Sequence, residues 1–179
     1  MQQKNKIRLL TEGAMIAAVY AALTLLLWQF SSLQIQVRVS EALCVLPLFT
    51  VAAVPGLAVG CMLVNLLMGN IWDAIFGSLA TLLAALVTYR IGKRKGKLSI
   101  WLAPLPSVLF NALIIPFVLY FGYGFTTFGN VESMWLVLGL NALSVGIGQF
   151  ISCYLLGLPL YALLRRLPLF GEHPEKKIS

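Results

Sequence analysis

Charge is scarce in this chain: 11% of its 179 residues are Asp, Glu, Lys or Arg, and only six are acids. An ordinary soluble domain carries about 25% charged residues. Histidine is nearly absent too, with His173 alone and close to the C-terminus. That shortage leaves no HExxH metal site and no Ser/His triad inside the apolar region. Cysteine is limited to Cys44, Cys61 and Cys153, each within an apolar stretch and none in a C-x-x-C, so free packing thiols are expected. A phosphate loop is also missing. The stretch GKRKGKLS has GxxxGK where GxxxxGK is needed, with Leu98 before Ser99, so this chain does not hydrolyse ATP. Acids without a nucleophile or a metal beside them define no reaction class, and catalysis is not expected.

What the chain does have is apolar sequence, at 60% hydrophobic residues and a mean hydropathy of +0.90. A multi-pass protein of the cell membrane is expected, with residues 1–179 forming one membrane domain and lipid around it. The apolar character continues past the first stretch and no cleavage site for a signal peptide appears, so the first span is expected to stay. The net charge of +7 is no nucleic-acid footprint, because twelve of the thirteen basic residues fall in three short clusters. These are Lys4, Lys6 and Arg8; Arg90, Lys93, Arg94, Lys95 and Lys97; and Arg165, Arg166, Lys176 and Lys177. Such clusters mark cytoplasmic segments under the positive-inside rule.

A spanning helix needs about 20 apolar residues. Residues 9–29, 73–91, 98–120 and 134–164 each meet that requirement, the last with a bend expected near Gly157 and Pro159. Between the first two, the region is broken by Pro47, Pro55 and Gly56. If Arg8 and the Arg90 cluster share a side, an even number of crossings separates them, and two short spans, 42–54 and 56–69, meeting at Val54-Pro55-Gly56, satisfy that parity. The expected fold is therefore an all-α membrane bundle of six helices with both termini cytoplasmic.

This topology gathers polar chemistry on the external face: Arg38 and Glu41 in IQVRVSEALCVLP, Asn70, Trp72 and Asp73 in GNIWDAIFGS, and Tyr123, Asn130, Glu132 and Trp135 near the last loop. Each has a plain structural explanation. Ser40 and Asp73 can cap helices, Glu41 suits a first helical turn, and Trp72 and Trp135 suit an aromatic belt. As a set they fit a ligand cavity, since acids at membrane depth cost about 2.5 to 3.5 kcal/mol each. Asn141, Ser144, Gly148 and Gln149 follow one face of the last span, and Asn111 sits in the fifth, either flooring a pocket or bonding helices together. In the first span Ala14, Ala18 and Ala22 recur every four residues, with Ala17 and Ala21 alongside. This ridge suits close helix approach, within the chain or to another membrane protein.

VRVSEALCVLPLF followed by GNIWDAIFGSLATLLAALVTY resembles the QueT family, the substrate-binding S-components of energy-coupling factor (ECF) transporters assigned to queuosine precursors. The resemblance spans nearly the whole chain and is most specific from Gln34 to Tyr89. It implies a six-helix subunit that captures a 7-deazaguanine from outside and binds no cofactor itself. Its implied partners are a transmembrane coupling protein, or T-component, and two ABC ATPases that use the ATP. The Ala14, Ala18, Ala22 ridge then resembles the motif by which S-components dock on the coupling protein, and the loop between the first two spans covers the ligand. For such a ligand, Glu41 or Asp73 reads the N–H and amino edge, Trp72 offers a stacking surface, Asn70 and Asn141 add hydrogen bonds, and Arg38 holds the unused acid or the ligand carbonyl.

Two other classes remain open on sequence. An S-component for another vitamin would use a similar pocket, and a stand-alone ion-coupled carrier would use Glu41 or Asp73 as its proton or cation site. A lipid-modifying membrane enzyme has no residues to support it.

Overall fold

Without water, every backbone N–H and C=O must be bonded within its own segment, a condition helices meet. The computed structural model is helical and free of strands over the residues it describes, which are 2–27, 37–94, 96–124 and 133–167. Lys95, Asn130, Glu132, His173, Lys176 and Lys177, the loop between the first two spans up to residue 36 and most of the loop before Met134 lie outside the described residues.

Among the described residues six helices follow in order. They are α1 (Gln2–Leu26), α2 (Val39–Leu48), α3 (Ala53–Leu67), α4 (Asp73–Gly92), α5 (Leu98–Gly122) and α6 (Met134–Leu164). Four of them, α1 over Asn5–Leu26 together with α4, α5 and α6, are long and apolar enough to cross a membrane. The chain is a membrane protein, and α2 and α3 are its short members.

The centre of the bundle is α2. It is a 3-10 helix of ten residues, with everything from Ser40 to Pro47 buried. At about 2.0 Å per residue it reaches roughly 20 Å, further than ten α-helical residues would. A short stretch thereby covers more depth. Leu43 and Leu46 of α2 join Tyr20, Leu57, Cys61, Val64 and Ala85 in one apolar cluster, and Cys44 and Val45 meet Cys153 of α6 on another side.

The turn between α2 and α3 does not lie at Val54-Pro55-Gly56, where the sequence suggested it. The chain turns at residues 49–52, and Pro55 falls in the first turn of α3, where a helix has no use for its missing N–H. Thr50 fixes this turn, since its hydroxyl accepts from the Ala52 N–H (3.2 Å) and donates to Glu12 of α1 (2.9 Å). The irregularity in α6 also starts before Gly157, as a π-helical turn over Ile151–Leu156. Pro159 clashes with the carbonyl four residues back, and a wider turn there relieves it.

Helices in lipid associate by close packing and hydrogen bonds rather than by the hydrophobic effect. The α1/α3 contact shows this. A methyl group added to Gly56 would lie 2.8 Å from the Gly13 carbonyl oxygen, and one on Gly60 would lie 2.8 Å from that of Ala17. Gly13, Ala17, Tyr20 and Thr24 therefore form the inner face of α1, while Ala14, Ala18 and Ala22 are exposed on its outer face.

Apart from Arg38, the described basic residues gather at one end. Glu12 bonds to the α2/α3 turn, Gly92 touches Leu48, and Tyr89, Leu160 and Leu164 pack on the same cluster, which places Arg8, Arg90 and Arg165 near one another along the bundle axis. Arg38 and Asp73 lie at the opposite end.

Candidate functional site

Arg38 stands just before α2 in an extended conformation (φ −94°, ψ 102°) and makes no side-chain capping bond to the helix. It reaches Asp73, with Nη2 3.3 Å from Oδ2, and the two side chains are 17% and 10% exposed. Asp73 opens the π-helical turn Asp73–Gly77 of α4, in which Trp72 holds the N-cap position without a side-chain bond. A wide turn of this kind often marks a functional position. Its carbonyl is 3.4 Å from the Asn65 side-chain amide, which also donates to the Cys61 carbonyl (3.0 Å). The other carboxylate oxygen, Oδ1, is buried and accepts no hydrogen bond among the described residues. Tyr123, just past α5, comes close to the Asp73 backbone, and burial followed by the Asp73 carboxylate raises its phenol above the ordinary value.

Glu41 is in a different situation. Sequence placed it at the mouth of the second span, but the structure seats it inside the bundle, 3% exposed. Three residues of 3-10 rise carry it about 6 Å inward from Arg38. Tyr20 of α1 donates to its Oε1 (2.5 Å) and Ser107 of α5 to its Oε2 (3.0 Å), so both oxygens are occupied by the chain's own hydroxyls. The cavity beside it, bounded also by Thr81 and Thr88, is about 10 Å³. That is room for one water, against about 300 Å³ or more for a small-molecule pocket. Ser40 does not cap α2; its hydroxyl meets that of Thr24 at 2.7 Å.

The remaining candidates separate. Trp72 is half exposed, stacks on Phe76 (6.2 Å, 18°) and rests against Gly122. It lines an apolar groove of about 450 Å³ with Leu113, Phe117 and Phe121, apart from the charged set, because neighbours on a helix point about 100° apart. Asn70 forms the α3/α4 corner through its backbone, donating to Asn65 and accepting from Ala74 at 2.8 Å each. Asn141 is fully buried on the inner side of α6 with Gly148 and Gln149, and Ser144 is partly buried beside them. Asn111, also buried, donates to the Ser107 carbonyl (2.9 Å).

Sequence reasoning brought forward Arg38, Glu41 and Asp73 but not Tyr20, Asn65 or Ser107, which hold two of them. The missed signal was that a phenol within a long apolar helix needs a polar partner.

A family model described as QueT transporter matches residues 10–166. No curated protein and no solved structure matches the chain. The match takes in α1 from residue 10, the other five helices and the whole Arg38, Glu41 and Asp73 set, and the chain belongs to the QueT transporter family, a family of membrane transporters rather than enzymes.

Proposed function

We propose that this protein is the substrate-binding S-component of an ECF-type importer, capturing a queuosine precursor of the 7-deazaguanine class for ATP-driven uptake by partner chains. The observation that carries this reading is the part-buried Arg38 and Asp73 pair at the end of the bundle away from the basic clusters. By the positive-inside rule that end faces outward, both termini are cytoplasmic and the protein is a multi-pass component of the cell membrane. Such a pair offers a guanine-like edge a carboxylate acceptor and a guanidinium donor side by side.

The partners are a T-component and two ABC ATPases, and the exposed Ala14, Ala18, Ala22 ridge supports docking on the former, since these residues are not spent on packing inside the chain. The chain itself binds no cofactor in this scheme. Asn70 and Asn141 are proposed as further polar partners of the ligand, and Trp72 as an aromatic wall beside its entry.

Calorimetric titration of the purified chain, without partners or ATP, tests the reading against 7-cyano-7-deazaguanine, guanine and thiamine. Saturable binding of the deazaguanine with little for the others is the expected result. A folded sample that binds thiamine instead identifies an S-component for another vitamin, and uptake by the chain alone, driven by an ion gradient, would replace the S-component role by that of a carrier.

A further inference from the structure

The two buried acids differ in what they have left to offer. Glu41 accepts a hydrogen bond on each oxygen from Tyr20 and Ser107, and its neighbouring cavity of about 10 Å³ admits no bicyclic ring. Asp73 gives one oxygen to Arg38 and keeps Oδ1 without a partner among the described residues, although the residue is only 7% exposed. A buried acceptor left unsatisfied costs about 1 to 3 kcal/mol, and more when it is charged. Chains rarely hold such an atom without a reason.

We propose, on the basis of the capture role above, that Asp73 Oδ1 is the atom that reads the donor edge of the ligand, that Arg38 positions Asp73 through Oδ2, and that Glu41 takes no part in recognition. Glu41 ties α1, α2 and α5 together. The occupant of Asp73 Oδ1 is a flat heterocycle with an amino group or ring N–H on its edge. Arg38 Nη2, 3.3 Å from Oδ2, is held loosely enough to turn toward a carbonyl on the same edge.

The test measures binding of 7-cyano-7-deazaguanine, and of the analogue lacking its 2-amino group, to the purified full chain and to D73N, E41Q and R38Q, with a melting curve for each. Removing the amino group should weaken binding to the wild type about ten-fold or more, as expected for a hydrogen bond to a charged acceptor. D73N should bind the parent compound about ten-fold or more weakly and no longer distinguish the two. R38Q should bind both more weakly while keeping the preference. E41Q should melt earlier, yet its folded fraction should retain both affinity and preference. If D73N does not fold, the double variant R38M/D73L removes both charges without leaving Arg38 unpaired, and it too should show no preference. Preserved affinity and preference in D73N, with both lost in folded E41Q, overturns the assignment alone. A wild type that binds neither compound overturns the capture role together with it.

Discussion

Arg38, Glu41 and Asp73 were legible as residues because a charge in an apolar chain is costly and asks to be explained. Their pairing was not. Sequence spacing sets Arg38 and Glu41 three apart, close enough to meet on a helix, yet Arg38 is extended rather than helical and its guanidinium meets a carboxylate 35 residues away. The partners of Glu41 were hidden for a similar reason: Tyr20 and Ser107 lie 21 and 66 residues from it. Tyr20→Phe removes the donor to Oε1 and leaves that oxygen buried without it. The expected loss is about 1 to 3 kcal/mol of stability, read as a lower melting temperature in detergent, and an unchanged melting curve would remove the tie between α1 and α2 assigned to this bond.

Among the elements, the long apolar helices could be read from composition, since a run of about 20 apolar residues has few other uses. The break between α2 and α3 could not. Proline was the visible signal, but Pro55 begins a helix, and the turn is fixed by a Thr50 hydroxyl whose partner is on α1. The small residues of α1 were also visible, although their division between two faces was not. Gly13 and Ala17 meet Gly56 and Gly60, and Ala14, Ala18 and Ala22 look outward. Gly60→Ala places a methyl group 2.8 Å from the Ala17 carbonyl oxygen. Overpacking of this kind should destabilise by about 1 to 3 kcal/mol, whereas Ala18→Leu on the outer face should change the isolated chain by no more than about 0.5 kcal/mol. Melting curves of the two variants separate the faces. In the proposed assembly with partner chains, Ala18→Leu should abolish ATP-driven uptake and leave ligand binding intact.

For the whole molecule, charge clustering gave the topology its parity, and the native cysteines make that topology easy to test. Cys44, Cys61 and Cys153 are all buried, so they contribute little background to thiol labelling. In intact cells a membrane-impermeant maleimide should modify Tyr123→Cys at once and Arg94→Cys only after lysis; the opposite order would invert the bundle. In the proposed role, binding and assembly fall in different places. The charged pair is at one end, the small-residue ridge runs along the side, and Glu41 is in the middle, joined to both by the helices it ties together. Genetics done on this transporter inherits that layout. In a growth screen that depends on the proposed uptake, replacements at 41 that prevent folding and replacements at 73 should both leave the cells starving. Quantifying the protein in the membrane fraction should tell them apart: the first class of mutants would be depleted of the protein, and the second would keep a full complement that carries nothing.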